Sequence, residues 1–304
     1  MANDKPVLIL VVGPTASGKT ALAIDLAIKL KTSILSADSR QFYRELPIGT
    51  AMPDAEQLAM AQHYFIADRS LEDHLNAGAY EKEANALLES LFTSKNVVVA
   101  CGGSGLFLKA LVDGFDDISP RNEAIRQQWQ HEFDTNGIEK LQFEVRLRDP
   151  HYAASADMHN HQRLIRALEV MEQTGRPYSE LRKNVTKTRP YRCIWIGLSP
   201  DRPMLHQRIN DRVDHMIAAG LVDEARKVYH LKEHESLRTV GYEELFEYFE
   251  GSITLEQAID DIKTHTRQFA RRQMTWFRKN PEIHWFSRPD DPEIWNLVRN
   301  LTIR

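Results

Sequence analysis

The chain has 304 residues, of which 42% are hydrophobic and 27% charged, and its formal net charge is −4. That length suits about two domains with a core that needs no cross-links, and the composition excludes a disordered or fibrous protein. The negative balance also excludes binding of polyanions by bulk charge, so any affinity for nucleic acid must come from local basic stripes.

The first predicted element is the unbroken apolar run Val7 to Val12, a buried strand that feeds directly into Gly13-Pro14. At six residues it is too short for a secretory core or a membrane span, and no longer run follows, so a cytoplasmic protein without a targeting segment is expected. Residues 20–30 read as a helix of good helix formers. Short strands follow at Ser33 to Ala37, Asn96 to Cys101, Arg192 to Leu198 and Ile283 to Phe286. Cys101 and Cys193 lie inside such runs without metal or redox spacing and are expected as free thiols of a reducing compartment.

Between about Asp116 and Pro190 the strands give way to helical patterning, apart from a possible strand near Phe143 to Leu147. Leu164, Ala167, Leu168 and Met171 share one helix face there, with Arg163 and Arg166 off it. The expectation is an α/β fold with a P-loop NTPase-like parallel sheet flanked by helices, interrupted by a mostly helical insertion. Its parts are residues 1–115, 116–190 and 191–304. His159 and His161 lack a third ligand at helical spacing, so no zinc site is expected.

Gly13 to Thr20, GPTASGKT, fits the phosphate-loop pattern and lies between a strand and a helix. Such a loop aims backbone N–H groups at phosphate oxygens, with Lys19 reaching the terminal phosphate and the Thr20 hydroxyl ligating Mg²⁺. The ligand is therefore a diphosphate or triphosphate. The NVVVAC strand ends in Cys101 and glycines rather than an acid, which argues against an energy-coupling ATPase and for group transfer. Asp38 directly follows a strand, where it would face the ligand crevice and could orient an acceptor or take its proton. A turn or helix-cap aspartate is the equal alternative on position alone.

GPTASGKT, SADSRQFY, PIGTAMP, GGSGLFLKAL, QRLIRALEV, GLVDEA, TVGYEEL and TRQFARRQMTWFRK occur in this order from Gly13 to about Lys279. Together they resemble the bacterial type of tRNA dimethylallyltransferase, also called tRNA isopentenyltransferase. The resemblance implies transfer of a dimethylallyl group from dimethylallyl diphosphate to N6 of the adenosine 3′ of the anticodon. The tRNAs concerned read codons that start with U. It implies that Gly13, Pro14, Thr15, Ala16, Ser17, Gly18, Lys19 and Thr20 hold the diphosphate, with Arg212 near it. Asp38 becomes the group that takes the amine proton, and Ser39, Arg40, Gln41 and Ser104 become contacts of the tRNA, as Asp38 itself is. In the insertion the resemblance assigns tRNA contacts to Arg126, Gln162, Arg163, Leu164, Ile165 and Arg166. Ser104, Phe107 and Met52 depart from the family's usual threonine, tyrosine and lysine.

On the last long helix Lys263, Arg267, Arg271 and Arg278 are expected on one face, with Ile259, Ile262, Phe269 and Trp276 opposite and packed on the core. Lys183, Lys187 and Arg189 add a second basic stretch. The basic stripes would clamp the anticodon stem-loop, with the protein acting as a monomer. Two alternatives stay open: transfer of the same group to free AMP, ADP or ATP, and a small-molecule kinase using the same loop.

Overall fold

The computed structural model describes residues 5–302 apart from 74, 117 and 184. Its α-carbons separate into two compact units, Met1–Val112 with Arg189–Arg304, and Asp113–Thr188.

The first unit is built on β1 (Val7–Val12), whose six consecutive apolar residues are all buried. A strand covered on both faces needs no polar alternation, which is why the run is unbroken. The sheet also contains β2 (Ile34–Ser36), β3 (His63–Tyr64), β4 (Val97–Cys101), β5 (Arg192–Leu198) and β6 (Ile283–Phe286). Every pairing is parallel, in the order β3-β2-β4-β1-β5-β6. All the predicted strands of the core are present, and β3 is an addition of only two residues.

Helix Lys19–Leu30 buries Leu22, Ala23, Ile24, Leu26 and Ala27 against β1, β4 and β5, with Ile294 and Val298 of the last helix completing that core. A separate cluster gathers Tyr43, Leu46, Leu221, Tyr242, Leu245, Phe246 and Ile262. Phe42, Phe65, Tyr80 and Phe107 form an aromatic group with centroids 5.1–6.2 Å apart. Phe107 is thus a packing residue, and the one hydroxyl of that group, on Tyr80, donates to Ser36 O at 2.9 Å.

Helices make up the second unit: Glu123–Arg148, Pro150–Ser155, His161–Thr174 and Tyr178–Leu181. The strand expected near Phe143 to Leu147 is helix instead. Leu141 and Val145, four residues apart, are buried, whereas Phe143 and Leu147 are exposed, so the alternation there is a coincidence of helix spacing. Glu169, fully buried, anchors the unit. It accepts from Asn122 N–H at 2.8 Å and from Arg166 at 2.6 Å, and Arg126 lies 3.9 Å away.

Candidate active site

Three loops leave the carboxyl ends of β1, β2 and β4, neighbours near the middle of the parallel sheet, where open α/β sheets take their ligands. The first is the glycine loop between β1 and Lys19–Leu30. Gly18 caps that helix at φ 94°, a left-handed conformation that costs a side-chain-bearing residue, and Ala16 accepts the same region at φ 61°. The amides of the helix's first turn, Lys19 and Thr20 included, have no partners within it and are groups of the kind that an anion takes.

Lys19 Nζ donates to Pro14 O at 2.6 Å. Desolvation pulls its ammonium down to about 8; Arg212 pushes the same way, while Cys101 and Asp38 oppose. Arg212 Nη1 donates to Thr15 Oγ1 at 3.1 Å, and loss of hydration lowers its pKa against the pull of Asp38. Two desolvated cations beside one carboxylate leave an excess of positive charge at the loop. A multiply charged anion relieves that excess. Cys101, pushed up to about 12 mainly by burial, stays a neutral thiol there.

Asp38 opens the second loop. Its Oδ1 accepts from Arg40 N–H at 3.2 Å, two residues on, within the loop itself. Ser39 is tied to the third loop: its N–H donates to Ser104 Oγ at 2.9 Å, and Ser104 Oγ donates to Ser39 Oγ at 3.2 Å. Serine in place of threonine therefore keeps the hydroxyl that this contact uses. Gln41 turns inward. Its Nε2 donates to Thr50 O and Ala51 O at 3.2 and 3.1 Å, and its Oε1 accepts from Ser36 Oγ at 3.3 Å. Arg40 reaches Glu235 O at 3.4 Å.

The Thr50–Ala51 segment is itself fixed from behind. Glu224 Oε2 accepts from Ile48 N–H and Oε1 from Gly49 N–H, both at 2.8 Å, and Tyr242 OH donates to Oε1 at 2.6 Å. These contacts explain why GLVDEA and TVGYEEL accompany PIGTAMP along the chain. Residue type alone singles out neither Glu224 nor Gln273, described below; the one signal in the sequence is that each stands within a motif.

The sequence-derived site residues separate into groups. Lys19, Thr20, Asp38, Ser39 and Ser104 belong to the loops and the helix start at one end of the sheet in the first unit, and Arg212 reaches the first loop from the helix Arg202–Ala218. In the second unit Arg163 is 59% exposed at its side chain and stands 4.0 Å from Asp157. Leu164 and Ile165 are fully buried in that unit's core, so their side chains cannot touch RNA. They occupy the helix's inner face with Leu168. Arg126 is bonded to Gln162, whose Nε2 lies 3.0 Å from His161 Nε2, and Arg166 also donates to Ser119 O at 2.6 Å. Arg189 is a structural cation, paired with Glu81 at 3.0 Å and bonded to Val112 O and Ala110 O.

The helix Leu255–Phe277 needs the same correction. Ile262 is buried, but Phe269 and Trp276 are 39% and 41% exposed, and the buried positions further along are Ala270, Gln273 and Phe277. The inner face is lined by smaller and polar groups because the helix approaches the glycine-rich third loop closely. Lys263 is paired with Asp214 at 2.6 Å and Arg267 bonds Asn210 Oδ1 at 2.7 Å, which leaves Arg271, Arg272 and Arg278 as exposed cations.

The Thr20 hydroxyl is a hard oxygen at the helix start. No cluster of three His, Cys, Asp or Glu side chains suited to a metal occurs among the described residues. That donor set fits Mg²⁺ held by Thr20 and otherwise by substrate phosphate oxygens and water.

The profile of the IPP transferase family matches residues 41–280. A tRNA dimethylallyltransferase of Christiangramia forsetii is 48% identical over 279 residues, covering 92% of each chain. The tRNA dimethylallyltransferase 1 of Bacteroides thetaiotaomicron is 44% identical over 98% of this chain and 97% of its own. Among solved structures, the full-length tRNA isopentenylpyrophosphate transferase of Bacillus halodurans is 33% identical. It covers 98% of this chain and 97% of its own, with a TM-score of 0.72.

Proposed function

The chain belongs to the IPP transferase family, and from that membership we infer that it moves a dimethylallyl group from dimethylallyl diphosphate to N6 of an adenosine in tRNA. The acceptor we assign is the adenosine 3′ of the anticodon, in tRNAs that read U-starting codons. The observation that carries the reading is the meeting of a cationic glycine loop with Asp38, whose charge is felt by both Lys19 and Arg212. A kinase's acceptor also gives up a proton beside the phosphates, so loop and carboxylate would serve either reaction; membership of the IPP transferase family is what favours prenyl transfer.

In the proposed reaction the C1–O bond of the allylic diphosphate breaks and its electron pair leaves with the diphosphate. Loop amides, Lys19 and Arg212 stabilise that developing charge. The N6 lone pair forms the new bond to C1, and the N6 proton passes to Asp38. Mg²⁺, held by Thr20 and the substrate, would supply further charge neutralisation at the diphosphate. Arg40 N–H bonds one oxygen of that carboxylate, Oδ1, which leaves Oδ2 as the one to receive the proton.

RNA is held by exposed cations on each unit. In the first these are Arg271, Arg272 and Arg278, and in the second Arg163 and Lys183. No helix among the described residues is long and apolar enough to cross a membrane; a tRNA substrate supports a cytoplasmic enzyme.

The test is isotope transfer from labelled dimethylallyl diphosphate with Mg²⁺, offering unmodified tRNA, AMP and ATP in parallel. Label in tRNA beside the anticodon is expected. Label in the free nucleotides would move the acceptor assignment, and label in none of them would refute the transfer reading.

A further inference from the structure

One buried amide spans two of the three loops. Gln273, only 6% exposed, points from the inner face of Leu255–Phe277. Its Oε1 accepts from Thr15 N–H at 2.8 Å, and its Nε2 donates to Gly103 O at 3.0 Å. Thr15 belongs to the loop assigned to the diphosphate and carries the hydroxyl that receives Arg212. Gly103 immediately precedes Ser104, which holds Ser39 next to Asp38. The amide therefore links the side that holds the leaving group to the side that holds the proton acceptor. Gly103 is what admits it: a Cβ there would lie 2.3 Å from Nε2.

The bond to Gly103 O is buried and that from Thr15 N–H is part-buried, so loss of the amide would leave at least the carbonyl without a ready solvent partner. Two other contacts show how closely the loops are packed. Gly102 N–H donates to Val11 O at 3.2 Å, and Ser104 N–H donates to Ala37 O at 3.4 Å. These set the loops' bases, whereas Gln273 joins their working ends.

We propose that Gln273 is a positioning residue that fixes the separation of diphosphate and acceptor amine, and so directs the allylic carbon to nitrogen rather than to water. The proposal rests on the transfer reaction assigned above. Once the C1–O electron pair has left with the diphosphate, C1 takes the nearest nucleophile. Attack by N6 gives the prenylated adenosine, with the proton on Asp38. Attack by water gives dimethylallyl alcohol and a proton in solution. Reacting atoms must stand within about 3–3.5 Å, and a shift of about 1 Å costs ~100-fold. A loosened loop pair therefore slows nitrogen attack far more than attack by mobile water.

The decisive measurement is the partition of released diphosphate between labelled tRNA and labelled dimethylallyl alcohol, on the full chain with saturating unmodified tRNA and Mg²⁺. This ratio is independent of how many molecules are folded, which a role in stability alone would change. In Gln273→Met, transfer should fall by roughly 30–100-fold and the ratio of alcohol to transfer should rise by about 10-fold or more, with KM for tRNA within about threefold. Gly103→Ala displaces the same amide from the opposite side and should shift the ratio in the same direction, so the test does not depend on one variant folding. A wild-type ratio in either folded variant overturns the proposal. A wild-type enzyme that transfers nothing to tRNA would instead overturn the reaction on which it rests.

Discussion

The protonation of Lys19 makes the diphosphate affinity pH-dependent in a way that can be worked out beforehand. Its pKa is lowered from 10.5 to about 8. In the free enzyme the ammonium is thus intact below that value and lost above it. A bound diphosphate brings negative charge to the nitrogen and restores the higher pKa, so binding above pH 8 must take up a proton. With a free pKa of about 8 and a bound one raised well above pH 9, affinity at pH 9 is expected to be about 10-fold weaker than at pH 7. The fall continues at close to tenfold per unit until about pH 10. The assay is calorimetric titration with a non-reacting alkyl diphosphate in two buffers of different ionisation heat, which reports proton uptake directly. Lys19→Met serves as the reference, because titration of the ligand is the same for both proteins. Expected is one proton taken up by the wild type at pH 9 and none attributable to position 19 in the variant. Equal pH slopes for the two proteins would refute the placement of the ammonium beside the diphosphate.

Asp38→Ala should bind tRNA within about threefold of wild type yet transfer ~100-fold or more slowly, the scale of a general base, as read in single-turnover assays. Unchanged turnover would remove Asp38 from the chemistry. Arg189→Met breaks an ion pair with side chains 13% and 6% exposed. It should cost about 3 kcal/mol in urea unfolding while leaving the tRNA salt dependence untouched. Arg271→Ala should weaken tRNA binding and lower the slope of log K against log salt by about 0.7–0.9, measured by filter binding between 50 and 200 mM salt. An unaltered slope would exclude a phosphate contact there.

Much of the fold could be read from the chain because parallel strands buried on both faces leave unbroken apolar runs, as in β1, β4 and β5. The two residues of β3 offer no such run. Pattern failed where two periods coincide, as at Phe143 and Leu147, whose spacing fits a strand while Leu141 and Val145 carry the helix. It failed again on Leu255–Phe277, where the usual assignment of aromatics to the core put Phe269 and Trp276 inside and overlooked a glutamine. A buried glutamine is legible only when its partners are known, and those of Gln273 lie 258 and 170 residues away in sequence. The same applies to Glu224, which caps a turn 175 residues distant, and to Arg189, which reads as one cation among several until Glu81 is placed beside it.

The order in which the sheet can be assembled has a consequence for synthesis. β1 is translated first, yet one of its edges belongs to β5, which begins at Arg192. At about 5–20 residues per second a ribosome needs roughly 10–40 s to cover that interval. Throughout it, an apolar strand edge lacks its final neighbour and can recruit another chain instead. The residues made in the meantime include a helical unit with its own core, whose two ends meet where Lys187 N–H donates to Asp113 O at 2.7 Å. That unit can close on its own core while the sheet is still waiting. Slower initiation or a holding chaperone should therefore raise the soluble yield of this enzyme more than a change that stabilises the finished sheet.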